Sequence, residues 1–97
     1  MKIWLDDIRP APDGFIWAHD LFELAALLET HKDQIELMSF DHDLGDGIPD
    51  GYMIIKWLAE HYLNRWPETI RVHSANPPGA KNIRCYAEFI YNRVLST

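Results

Sequence analysis

Three short apolar runs, each stopped by polar residues, constrain this chain more than any other feature. Lys2–Leu5 ends at Asp6-Asp7, and Ile35–Phe40 ends at Asp41-His42-Asp43. Thr69–His73, with β-branched Thr69, Ile70 and Val72, runs into Ser74-Ala75-Asn76. Short, nearly continuous apolar runs bounded by turn residues predict buried strands, and Phe15–Ala18 is a further short candidate. The segments between them carry helical spacing instead. After an Asp20 N-cap, with Glu23 three residues on, Leu21, Leu24, Ala25 and Leu28 share one face. A second helix is expected over Tyr52–Leu63 with Ile54, Trp57, Leu58 and Tyr62 inward, and a third from Ala80 to Leu95 with Ile83, Ala87, Ile90 and Val94 inward. Arg9–Gly14, Leu44–Gly51 and Ser74–Gly79 read as loops, and Trp66-Pro67 breaks the chain.

Strands alternating with helices predict an α/β fold, with helices packed on a mostly parallel sheet of about four strands. With no repeat and no linker, the 97 residues are expected to form a single domain, 1–97. A hydrophobic content of 47% excludes wholesale disorder. The formal net charge of −6 argues against a protein that grips extended duplex nucleic acid by counterion release. No apolar run approaches the length of a membrane span, and the first residues lack a signal-peptide pattern. Cys85 stands alone, which rules out an internal disulfide and a cysteine-based zinc site. A cytoplasmic setting is the expectation.

In parallel α/β sheets, ligands bind outside the carboxyl ends of the strands. The three polar motifs fall at those ends, so they are expected to converge on one rim. Carboxylates brought together there repel one another unless a cation neutralises them. A hard divalent ion such as Mg²⁺ or Mn²⁺ suits such a site, because it accepts carboxylates and still leaves positions for a phosphoryl oxygen. The metal-ligand candidates are Asp6, Asp7, Asp41 and Asp43; the competing reading of each is a solvated turn carboxylate or a helix cap. His42 and His73 lie inside the same motifs and are candidates for acid–base work or for capping. Ser74 and Asn76 either cap the loop or donate to a phosphate beside the last helix. Arg9 either clamps a phosphate or pairs with Asp7 or Asp13. Trp17 either stacks on a base or packs in the core.

These motifs resemble the receiver domain of bacterial response regulators, which has an acidic pair after its first strand, a phosphoryl-accepting Asp after its third and a Ser or Thr after its fourth. Asp6-Asp7 is similar to the pair and Ser74-Ala75 to the hydroxyl position. Asp43, Gly45 and Pro49-Asp50-Gly51-Tyr52 are similar to the acceptor loop, although Asp41 fits the strand end better. The sequence departs from an ordinary receiver in three ways. It reaches Leu95 without a fifth strand and its lysine, the Arg9–Gly14 loop stands in place of the first helix, and histidines occupy positions 42 and 73.

Leu5-Asp6-Asp7-Ile8-Arg9, Ser39-Phe40-Asp41-His42-Asp43-Leu44-Gly45 and His73-Ser74-Ala75-Asn76 together more closely resemble the cyclic-phosphate-processing receiver family, common in bacteriophages and mobile elements. The resemblance implies a truncated, three-layer receiver-like (flavodoxin-like) fold. It also implies a metal-dependent phosphoesterase acting on a cyclic or terminal phosphate of a nucleotide or RNA end, in a bacterial or phage-infected cytosol. On this reading Asp6, Asp7 and either Asp41 or Asp43 hold Mg²⁺ or Mn²⁺, and the other carboxylate is nucleophile or base. His42 or His73 protonates the leaving oxygen, and Arg9, Ser74 and Asn76 hold the phosphate. The alternative is a non-catalytic module that sequesters a nucleotide signal or a host protein.

Overall fold

Two prolines and an Asp-Gly keep the segment after the first strand from becoming a helix, and the fold takes its shape from that gap. In the computed structural model, which describes residues 1–45 and 47–95, the elements follow in order. They are β1 (Lys2–Leu5), β2 (Ile16–Ala18), α1 (Leu21–Thr30), β3 (Leu37–Phe40), α2 (Gly51–His61), β4 (Thr69–Val72) and α3 (Pro77–Phe89). A 3₁₀ turn, Leu63–Arg65, follows α2, and a π-helical turn, Ile90–Val94, extends α3. The four strands lie in the order β2-β1-β3-β4, and every pair is parallel. This is the expected α/β receiver-like fold. Asp46, in the Leu44–Gly51 stretch that the sequence reads as a loop, lies outside the described residues.

The connections β2–α1–β3 and β3–α2–β4 step across the sheet in the same direction. Right-handed crossovers of one direction place their helices on one face. The core agrees: one cluster joins Ile3, Leu5, Met38 and Phe40 of the strands to Leu24 and Leu28 of α1, Ile54, Ile55 and Leu58 of α2, and Ile83 and Ala87 of α3. Those strand residues all have one parity. Residues of the other parity, Trp4, Ser39 and Arg71, are in register with one another on the reverse face. There the covering layer is the loop after β1 instead of a helix, so the third layer expected of a receiver-like fold is not helical here. The Trp4 indole N–H donates to the Arg9 carbonyl at 3.0 Å, and its ring meets Phe15 edge-on.

Local chemistry sets the helix boundaries. Asp20 caps α1 by accepting from the Glu23 N–H, and Glu23 reaches back to the His19 N–H, one residue before the cap. In α2 the fully buried positions include Ile55, which the expected stripe omitted, while Trp57 and Tyr62 of that stripe are only partly buried. The last helix starts at Pro77 and not at Ala80. Asn76 is its cap, and prolines are well suited to the first helical positions because no N–H partner is needed there. Among the described residues, no helix is long and apolar enough to cross a membrane.

Candidate functional site

The alternation that buries Ile3, Leu5, Met38 and Phe40 also places the site. Each strand continues one residue past its last apolar position before it turns. Asp6 is two residues beyond Trp4, Asp41 two beyond Ser39, and His73 two beyond Arg71, so all three continue the reverse-face row. The ladder supports this register, because the Asp41 N–H donates to the Leu5 carbonyl and the His73 N–H to the Phe40 carbonyl, both at 2.9 Å. The acidic motifs therefore converge at the carboxyl ends of β1 and β3, the centre of the sheet.

One oxygen each from Asp6, Asp7 and Asp41 lies within 4.8 Å of the others. Asp6 is 1% exposed and Asp41 9%, so neither is an ordinary solvated turn carboxylate. Together with Ile8, Arg9, Asp43, Gly45 and Ala75 they line a cleft of about 370 Å³. A larger cavity of about 480 Å³ lies beside Lys32, Asp33, Ile35, Arg65 and Trp66, at the other end of the strands. It gathers no comparable set of acids, and its Arg65 is spent on backbone carbonyls of the α1 end.

The electrostatics separate the two central aspartates. Burial, reinforced by the negative charge of Asp6, pushes the Asp41 carboxyl above its usual range, while a hydrogen bond from the Ser74 hydroxyl opposes the shift. Asp43 is pulled below the usual range, chiefly by its hydrogen bond with His42 and further by Asn76. Asp41 thus belongs to the carboxylate cluster. Asp43 stands on the cleft wall as an exposed anion and is not part of that cluster among the described residues.

The remaining candidates are occupied in ways that the sequence did not reveal. His42 is packed away from the cleft, its Nδ1 2.9 Å from Asp43 and its Nε2 3.6 Å from Asp50. The ring lies so close to the start of α3 that a Cβ at Gly79 would come within 2.3 Å of it, which explains a glycine there. The Asn76 side chain caps α3, its Oδ1 accepting from the Gly79 N–H at 3.0 Å, and its Nδ2 donates toward Asp43 at 3.3 Å. The Ser74 hydroxyl oxygen accepts from the Asn76 N–H at 3.0 Å. Arg9 does line the cleft, with one guanidinium nitrogen donating to the His73 carbonyl at 2.8 Å.

His73 is half-buried and faces Asp6. Its Nε2 is 3.0 Å from Asp6 Oδ2 and its Nδ1 2.7 Å from Ser39 Oγ. The ring stacks on Trp4 at 3.7 Å, with 6° between the planes. Burial holds its pKa below the ordinary imidazole value, against the opposing pull of Asp6. Trp17, a possible base-stacking residue on sequence grounds, turns its indole N–H to the Asp6 carbonyl at 2.6 Å and stacks on His19. Ser39 and Trp4 carried no functional signal in the sequence. Only the strand register, which puts them one row below Asp41 and Asp6, identifies them.

Neither a curated protein nor a solved structure matches this chain. Residues 1–89 match the family described as the cyclic-phosphate processing receiver domain. The match spans every strand and α1 to α3, including the Asp6-Asp7, Asp41 and His73-Ser74 motifs. The chain belongs to the cyclic-phosphate processing receiver family.

Proposed function

We propose that the domain is a metal-dependent phosphoesterase that acts on a cyclic or terminal phosphate of a nucleotide or RNA end. The observation that carries this reading is the convergence of the Asp6, Asp7 and Asp41 carboxylates within 4.8 Å at the cleft. An anionic phosphate cannot approach three carboxylates without a cation between them. An all-oxygen set of this kind fits Mg²⁺ or Mn²⁺. Such an ion supplies Lewis-acid polarisation of a phosphoryl oxygen. Asp6, Asp7 and Asp41 are the residues that would hold it.

The chain's own groups supply the rest. Asp43 lies on the cleft wall and stays ionised at neutral pH, held by His42 and Asn76. On this reading it accepts a proton from an attacking water. Arg9 brings positive charge to the cleft lining, where a phosphate oxygen needs it. His42 supports Asp43, and Asn76 fixes the start of α3, so both act behind the cleft wall and do not touch substrate. The proposed setting is the bacterial or phage-infected cytosol.

Incubating the protein and Mg²⁺ with 2′,3′-cyclic or 3′,5′-cyclic nucleotides is expected to release product. Product release should stop on chelation and fall by at least about 100-fold in Asp41→Asn, the order expected when one charged group of a catalytic site is lost. No turnover of either class would sink the enzymatic reading. A tight nucleotide complex without product would instead establish the sequestering module, a reading that the 77% exposed Ile8 on the cleft wall favours as an apolar contact.

A further inference from the structure

We propose that His73 is a positioning residue, which with Ser39 holds the Asp6 carboxylate in one orientation for a cation, and is not the proton donor to a leaving group. The proposal rests on the reading of Asp6 as a metal ligand, and it assigns work to groups on the reverse face of the sheet, outside the cleft.

The hydrogen bonds fix the direction of the chain. Ionised Asp6 can only accept, so the His73 nitrogen that faces it, Nε2, carries the proton. In the neutral ring Nδ1 is then an acceptor, and the Ser39 hydroxyl donates to it. The order is Ser39 Oγ–H to His73 Nδ1 at 2.7 Å, then His73 Nε2–H to Asp6 Oδ2 at 3.0 Å. Both ring nitrogens are engaged, and His73 is not among the residues that line the cleft.

Asp6 is held from its other side as well. Its Oδ1 accepts from the Ile8 and Arg9 N–H groups, each at 2.8 Å. A carboxylate offers about four lone-pair sites, and these bonds fill all but one, which belongs to Oδ2. The oxygen steered by His73 is therefore the one with capacity left for a cation.

Stacking and backbone contacts keep the ring from turning. Trp4 lies parallel to it at 3.7 Å, and Arg9 donates to the His73 carbonyl at 2.8 Å. Arg9 in turn accepts, through its own carbonyl, from the Trp4 indole at 3.0 Å. The result is a closed ring of contacts, Trp4–His73–Arg9–Trp4, wrapped around the residue after β1. Partners of this kind behind a metal ligand typically change metal affinity by roughly 10–100-fold when removed.

Mn²⁺ affinity, read by calorimetry on the full chain, tests the assignment in His73→Ala, Ser39→Ala and the double variant, with folding checked by circular dichroism. His73→Ala should weaken Mn²⁺ binding by roughly 10–100-fold, and Ser39→Ala by a smaller factor. The double variant should be no weaker than His73→Ala, because Ser39 acts only through the ring. Wild-type Mn²⁺ affinity in folded His73→Ala, or losses from the two sites that multiply, would overturn the proposal. If His73→Ala does not fold, Ser39→Ala decides, and unchanged Mn²⁺ affinity there counts against it.

A second measurement needs no metal. The imidazole ¹⁵N shifts of His73 in the metal-free wild type should report a proton on Nε2, the nitrogen facing Asp6, and an acceptor at Nδ1. A ring protonated on Nδ1 alone overturns the proposal. Failure of the wild type to bind Mn²⁺ would count against the metal-dependent function, while this tautomer test would still decide the coupling of His73 to Asp6.

Discussion

The two ends of the sheet are built on opposite principles. At the amino ends of the strands, charge is spent on satisfying the backbone. Arg65 donates to the carbonyls of Leu28, His31 and Asp33, at 2.7, 2.7 and 3.2 Å, and so closes the end of α1. Gln34 donates to Glu68 at 2.8 Å, and Tyr91 to the Pro67 carbonyl at 2.6 Å. At the carboxyl ends, charge is left in conflict. Asp6 and Asp41 are buried side by side, with Asp7 at hand. The comparison shows where this small domain holds stability and where it gives it up: burial and the neighbouring Asp6 keep the Asp41 charge unfavourable at the rim, the kind of cost that functional sites commonly carry.

The largest expected effect breaks the satisfied end. Arg65→Met leaves three carbonyls without their charged partner while keeping most of the side-chain volume. It should lower unfolding free energy by about 2–3 kcal/mol in urea titration, with Mn²⁺ affinity of the folded protein unchanged. A fall in Mn²⁺ affinity of the folded variant would mean that the two ends are not independent.

The next effect has the opposite sign. Asp41→Asn removes the repulsion at the rim and should stabilise the metal-free protein, by on the order of 1 kcal/mol, or about 4–8 °C in melting temperature for a domain of this size. Because the folded-state pKa of Asp41 is raised, the stability it contributes is present below the ordinary carboxylate pKa and is lost as pH rises through the folded value. The advantage of the Asn variant should therefore open as pH climbs through that window and shrink again when Mn²⁺ is added to both proteins. Thermal melts at several pH values, with and without Mn²⁺, check both signs. Equal melting temperatures for the metal-free proteins at neutral pH would mean that the rim is not strained by charge.

The smallest effect lies at the start of α1, on the carboxyl-end side of the sheet but outside the cleft. Glu23 is an exposed residue whose carboxyl is lowered chiefly by its hydrogen bond with His19. A lowered folded pKa contributes stability above the ordinary carboxylate value, and this is lost as pH falls through the folded value. Glu23→Gln should change the melting temperature by only a degree or so at neutral pH, since exposed pairs contribute about 0–1 kcal/mol. The difference should vanish in acid. A loss comparable to that of Arg65→Met would show that the capping of α1 matters as much as its closure.

Much of the fold was legible because its signals are local. Apolar runs of four to six residues, the Asp20 cap and the Pro and Gly loops each reveal themselves within a few positions. The start of α3 is hidden in the sequence because Pro77-Pro78 looks like a loop, and only the structure shows the Asn76 side chain accepting from the Gly79 N–H. Of the candidate site, the sequence supplied the acids and placed them at strand ends. It left Asp41 and Asp43 as alternatives, and the structure brings Asp41 to the carboxylate cluster and holds Asp43 on the wall through His42 and Asn76.

The sequence by itself determined the alternation of strands and helices, the acidic residues at the strand ends and the absence of a helix after β1, since each depends on neighbours a few residues apart. Tertiary structure alone decided the strand order, the pairing of Asp6 with His73 across 67 positions, and the placing of Ser39 and Trp4 around that histidine. The physical reason is register. In a strand, successive side chains point to opposite faces, so which groups meet depends on how separate strands align, and no single segment carries that information.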